Sequence, residues 1–248
     1  TQPAMLAAGV ATWRAWCRHG VPAPAMLAGH SLGEFTALVC AGALDFRDAV
    51  GVVQFRGRAM QEAVPGGQGA MAAILGLEDA EVEAACAAAA QGEVVEPVNY
   101  NSPGQLVIAG HAGAVARAVE ACRARGARRA LPLPVSVPSH CSLMRPAGDR
   151  LRERLAVVPI RAPSIEVYAC GGRRHGTPAE IVDNLVAQLS APVRWADVVR
   201  DMIARGATRI VECGPGKVLT GLNRRIERGR EIAMLAIEDP ASLAAVLA

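Results

Sequence analysis

At 248 residues, 52% hydrophobic and 20% charged, the chain can bury one substantial core with at most a small satellite domain, and it is too apolar to be disordered. A formal net charge of +3 and 3% aromatic content argue against a nucleic-acid binder, and no apolar run is long enough to span a bilayer. Seven cysteines, none in a C-x-x-C pair or at zinc-ligand spacing with histidine, point to reduced thiols, a cytoplasmic setting and no metal site.

Leu6, Val10, Trp13 and Cys17 recur at helical spacing over residues 3–19, and Gly20 stops that helix. No strand precedes it and the chain opens on Thr1, so an N-terminal strand is expected to be missing. Residues 25–28 read as a short strand running into Gly29-His30-Ser31-Leu32-Gly33, with a helix over 34–40 directly behind. That is the setting in which G-x-S-x-G becomes a nucleophile elbow: the sharp turn exposes the Ser31 hydroxyl, and the Leu32 amide stands at a helix N-terminus, where a developing oxyanion is favoured. The plainer alternative is a tight turn whose serine caps the helix.

Gly42 closes this helix and Asp45 opens the next, which places Phe46, Ala49, Val50, Val53, Met60 and Val64 on one face. Arg56 falls on the edge of that apolar face, whereas Arg58 points to solvent. A guanidinium drawn toward an apolar face needs an anion: either a substrate carboxylate, with Met60 lining the same pocket, or an internal Asp or Glu.

Beyond the Gly-rich linker at 65–69, strand 70–77, helix 78–90, strands 94–99 and 106–109, helix 112–126 and strand 129–137 follow in the βαββαβ order of a ferredoxin-like unit. It reads as a subdomain of residues 68–137 inserted into an α/β core of 1–67 and 138–248. Asn101 and Gln105 lie in its central turn, where they either face a ligand or shape the turn. His140 leaves the insert between a strand end and a helix at 146–155, a position where open α/β sheets gather their chemistry, and is the candidate general base. Residues 164–170 read as a strand. Thr177-Pro178-Ala179-Glu180 reads as a capping box that opens a helix through Ile181, Leu185 and Leu189. Gln188 sits in its last turn, where a main-chain carbonyl is free to hold a histidine Nδ1–H in place of a carboxylate. A helix at 195–203, strands at 208–213 and 232–237 and a final helix from Asp239-Pro240 complete the chain. Gly214-Pro215-Gly216-Lys217-Val218 is not a P-loop, since its glycine spacing is wrong and it lacks the magnesium-binding Ser/Thr. Arginines cluster over 122–129 and 224–230, as a solvated face or as a dock for an acidic partner or phosphorylated cofactor.

Six stretches together carry a family resemblance: GHSLGE (29–34), QFRGRAMQEAVP (54–65), VNYNSPGQLVIAGH (98–111), LPLPVSVPSHCSLM (131–144), QLSAPVRW (188–195) and GPGKVLTGL (214–222). The chain resembles, almost end to end, the malonyl-CoA:acyl carrier protein transacylases of fatty acid synthesis, relatives of polyketide synthase acyltransferase domains. The resemblance implies an α/β-hydrolase-like parallel-sheet core and malonyl transfer from CoA, through an ester on Ser31, to the phosphopantetheine thiol of acyl carrier protein. It makes His140 the base, the Gln188 carbonyl its orienting acceptor, the Leu32 amide an oxyanion donor and Arg56 the grip on the malonyl carboxylate. It implies no permanently bound cofactor and a monomer with acyl carrier protein as partner. One departure is that the family's opening strand and GQGSQ loop, source of a second oxyanion donor, have no counterpart, Gly67-Gln68-Gly69 being a false echo that follows a helix. Ser139, ahead of the histidine, fits a methylmalonyl enzyme as well as a malonyl one. The rivals are a serine esterase built on Ser31, Glu166 or Asp149, and His175, and an inactive carrier-protein-binding fragment.

Overall fold

The computed structural model describes residues 1–135, 137–229 and 231–247. Helix α1 (Gln2–Cys17) leads to β1 (Met26–Ala28), then α2 (Leu32–Cys40) and α3 (Phe46–Ala63). The Asp45 carboxylate caps α3 by accepting from the Arg47 amide at 2.8 Å. The next block is β2 (Gly69–Leu75), α4 (Asp79–Ala90), β3 (Val95–Ser102), β4 (Gln105–His111), α5 (Ala112–Ala124) and β5 (Arg129–Pro132). A 3-10 turn at Ser142–Met144 runs into α6 (Arg145–Leu155), followed by β6 (Glu166–Tyr168), β7 (Arg174–His175) and α7 (Pro178–Ser190). The chain closes with α8 (Trp195–Ala204), β8 (Arg209–Cys213), α9 (Val218–Ile226), β9 (Ala233–Ile237) and α10 (Pro240–Leu247).

The middle block forms a four-stranded antiparallel sheet in the order β3-β4-β2-β5, the ferredoxin-like arrangement, and packs α4 and α5 through Ile74, Val82, Ile108, Val115 and Val119. The larger core lies among α1, α2, α3, α6 and α7, where Leu6, Phe35, Leu38, Val52, Leu151, Ile181 and Leu185 are fully buried. Parallel pairing is present but split into two small sheets, β1-β6-β7 with β1 parallel to β6, and β8 parallel to β9. The two blocks are stitched at Val193, which accepts from the Tyr100 amide at 2.9 Å and donates to the Val98 carbonyl at 2.8 Å.

Several elements depart from the sequence reading. The strand expected over 129–137 stops at Pro132: Leu133 still donates to the Met71 carbonyl at 2.9 Å, but Pro134 has no N–H and the Val135 amide turns back to the Leu133 carbonyl at 2.8 Å, while residue 136 lies outside the described residues. So does Arg230, the last arginine of the second basic run. The strand expected over 164–170 is only Glu166–Tyr168, and β7 occupies a stretch that reads as turn. Asn101 is not in a turn: it lies within β3, and the hairpin bend falls on Pro103 and Gly104 (φ +68°).

Candidate active site

Ser31 stands between β1 and α2 with φ +51° and ψ −109°, and its hydroxyl makes no capping bond to the helix behind it. The turn has no spare room, since a Cβ on Gly29 would lie 1.9 Å from the Gly33 carbonyl carbon. Leu32 opens α2, so its amide is among the N-terminal donors that have no intrahelical acceptor.

His140 reaches this hydroxyl from 109 residues away: its Nε2 lies 2.8 Å from Ser31 Oγ and its Nδ1 lies 2.7 Å from the Gln188 carbonyl oxygen. That carbonyl can only accept, so Nδ1 carries the proton and Nε2 offers its lone pair to the Ser31 hydroxyl. The C-terminal end of α7 holds the histidine twice, because the His140 amide also donates to the Leu189 carbonyl at 3.0 Å. His140 has φ +67° and is 3% exposed. Burial first, and then the Arg56 cation and His30, push its pKa down to about 3 against the opposing Gln188 bond, so the ring is neutral.

Arg56 is 2% exposed. Its Nη2 donates to Gln188 Oε1 at 2.8 Å and to Ser31 Oγ at 3.1 Å, its Nη1 donates to Gln2 Oε1 at 2.8 Å, and its guanidinium lies 5.7 Å from the Phe35 ring centroid. Its Nε is buried without a partner among the described residues. Burial lowers its pKa to about 10, partly offset by Cys170 and Glu34, which leaves it cationic at neutral pH. Its hydrogen-bond acceptors are amide and hydroxyl oxygens, so a buried cation lies against the serine with no carboxylate hydrogen-bonded to it among the described residues. Met60, beside it on α3, borders a cavity of about 390 Å³ together with Gln2, Val53, Gly57, Val137 and Ser139.

The other expected residues divide. Asn101 Oδ1 lies 2.9 Å from Nε2 of His30, inside the elbow, so Asn101 braces the residue before the serine. Gln105 is turned elsewhere: its Oε1 accepts from Arg225 Nη1 at 2.6 Å, on the side facing α9. The esterase alternative is not assembled. The His175 Nε2 is held by Glu34 at 2.8 Å, and Glu166 pairs with Arg205 and Arg174. Sequence reasoning missed Gln2, Glu34 and the Gln188 side chain. Glu34 and Gln188 had a signal that was available, a polar residue within the apolar pattern of α2 and on the stripe of α7, the same logic that singled out Arg56; Gln2 had none.

A hydroxyl at a strand–helix elbow, an imidazole bonded to it and a main-chain carbonyl behind that imidazole define an α/β protein with a serine–histidine dyad. The chain belongs to the acyl transferase domain family, whose model matches residues 1–236. It is 55% identical to the malonyl CoA-acyl carrier protein transacylase of Escherichia coli O157:H7 over 248 residues, all of this chain and 80% of that one. The acyl carrier protein S-malonyltransferase structure from Vibrio cholerae superposes with a TM-score of 0.96 at 55% identity, over 99% of this chain and 80% of that chain. A malonyl-transacylase solved in complex with a type II PKS acyl-carrier protein matches with a TM-score of 0.97 at 50% identity, over 100% of this chain and 80% of that chain.

Proposed function

We propose that this acyltransferase moves a malonyl group from CoA to the phosphopantetheine thiol of acyl carrier protein by way of an ester on Ser31. The buried Arg56 cation at 3.1 Å from the Ser31 hydroxyl carries the assignment, because an acyl group seated on that oxygen places a terminal carboxylate against the guanidinium. An uncharged acyl group leaves the same cation without an anion, at a cost. Residues 68–137 serve as a module inserted into the catalytic core.

In the first half-reaction Ser31 Oγ passes its proton to His140 Nε2 and attacks the thioester carbonyl carbon. The negative oxygen that forms is met by the Leu32 amide. The C–S bond breaks, and His140 returns the proton to the departing CoA sulfur. In the second, the phosphopantetheine thiol gives its proton to His140 and attacks the acyl carbon; the bond to Oγ breaks and Ser31 recovers its proton. The Gln188 carbonyl stabilises the imidazolium of both steps without itself changing charge. Arrival of the malonyl carboxylate on Arg56 removes part of the positive field that depresses His140, so the correct substrate makes the base stronger.

Intact-mass analysis after incubation with malonyl-CoA tests this. The expected result is one malonyl group on the peptide holding Ser31, none in Ser31→Ala, and discharge of the native adduct onto holo-acyl carrier protein. Absence of the adduct refutes the mechanism, and discharge to water alone makes the protein an esterase.

A further inference from the structure

Behind the clamp lies a buried carboxylate that the mechanism above does not use. Glu34, three residues past the nucleophile, has a side chain 0% exposed, as does the imidazole of His175. One oxygen, Oε2, accepts from the Cys170 amide and from Gln188 Nε2, both at 2.8 Å; the other, Oε1, lies 2.8 Å from His175 Nε2. Asn184 Nδ2 faces His175 Nδ1 at 3.3 Å, which leaves the ring proton on Nε2, pointed at Glu34. The Gln188 amide is therefore gripped from both sides. Its NH₂ donates to Glu34 and, at 3.1 Å, to the Ser31 carbonyl, and its Oε1 accepts from Arg56. Turned over, the same amide would set its NH₂ against a guanidinium and its oxygen against a carboxylate.

We infer that Glu34, itself oriented by His175, is the positioning residue of the carboxylate clamp: it fixes which end of the Gln188 side chain faces Arg56 and so holds the guanidinium beside the Ser31 hydroxyl. The inference rests on the malonyl reading of Arg56. Glu34 touches neither substrate nor Ser31 Oγ, and its effect passes through hydrogen bonds of fixed polarity and length, not through its charge alone. Selectivity among acyl groups is what it governs, because the Ser31–His140 pair serves every thioester alike.

Two conservative variants separate reach from charge. Glu34→Asp keeps the charge and draws the carboxylate back by one methylene, out of bonding distance of Gln188. Glu34→Gln keeps the reach, accepts from Cys170 and Gln188 with its oxygen and turns its amide to His175, whose Nε2 presents a lone pair once the ring proton moves to Nδ1 and the Asn184 amide turns its oxygen toward it. The readout is the ratio of kcat/KM for malonyl-CoA to that for acetyl-CoA. The Asp variant should lose about tenfold or more of that ratio, one lost hydrogen bond to a charged group, while the Gln variant stays within about threefold of native. A native ratio in Asp, a parallel fall for both substrates, or an equal loss in Gln and Asp overturns the inference. Should the Asp variant not fold, His175→Phe against His175→Gln repeats the test, since Phe fills the ring's space without donating to Glu34 and Gln restores the donor. The ratio is expected to fall in Phe alone, and a native ratio in Phe overturns the inference. Arg56→Ala is the control: if its ratio stays native, the clamp reading fails first, whereas a fall there with none in Glu34→Asp defeats only the role given to Glu34.

Discussion

Lowering the pH tests the buried dyad without any mutation. His140 has its pKa driven from 6.5 to about 3 by burial, then by Arg56 and His30. His30 is lowered too, by burial first, with Asn101 opposing. In the unfolded chain an imidazole titrates near its ordinary value, so as the pH falls the unfolded state takes up its proton first. Each such group therefore contributes stability that is whole above about 6.5 and drains away as the pH falls through the window down to its folded value. The slope is about 1.4 kcal/mol per pH unit for His140 alone and up to about twice that with His30. Against a typical total of about 5–15 kcal/mol, two or three pH units are enough to threaten the fold. Urea unfolding followed by tryptophan fluorescence at about pH 7, 6 and 5 should show the midpoint falling, with His140→Asn losing one proton's share of the slope. Over the same range kcat/KM of the protein that remains folded should show no ionisation near 6.5, because the free enzyme's base is already neutral. An acid limb centred near that value in protein with an intact fold would refute the assignment of a deeply buried, uncharged His140.

Arg56→Ala removes charge-assisted bonds worth about 1.5–3 kcal/mol each, so the malonyl-to-acetyl ratio of kcat/KM should fall by about a hundredfold or more; an unchanged ratio rules out the clamp. Gly29→Ala drives a methyl into the Gly33 backbone, 1.9 Å away, and should cost ~3 kcal/mol or more and abolish labelling of Ser31, read by thermal melting and intact mass. Gln105→Ala breaks only the contact with exposed Arg225, so kcat/KM should stay native and stability should change by less than about 1 kcal/mol in a urea titration.

Locally encoded features were legible in the sequence. The elbow, the Asp45 cap and the Thr177–Glu180 capping box depend on neighbours within a few residues, and each stands where its residues place it. Arg56 was legible because a charge on an apolar stripe is anomalous without knowledge of its partner. Gln105 shows the limit: a polar residue at a hairpin reads the same whether it faces a ligand or, as here, an arginine 120 positions on. His175 shows it again, since flanking glycines and arginines made it look like a turn residue, yet pairing with Glu34, 141 positions back, buries it. Short strands such as Arg174–His175 carry too few residues for any alternation to register.

Ser31 and His140, the two partners of the central hydrogen bond, are also two of the three non-glycine residues with positive φ among the described residues. Each holds a backbone shape that an L-amino acid adopts at a cost of order 1–3 kcal/mol, a shape that glycine reaches freely. Glycine at position 31 would relieve that backbone cost, whereas at position 140 it would also empty the space of a buried, twice-bonded imidazole. A side chain at the first bend thus marks a molecule that holds its hydroxyl in place at the expense of its own resistance to unfolding.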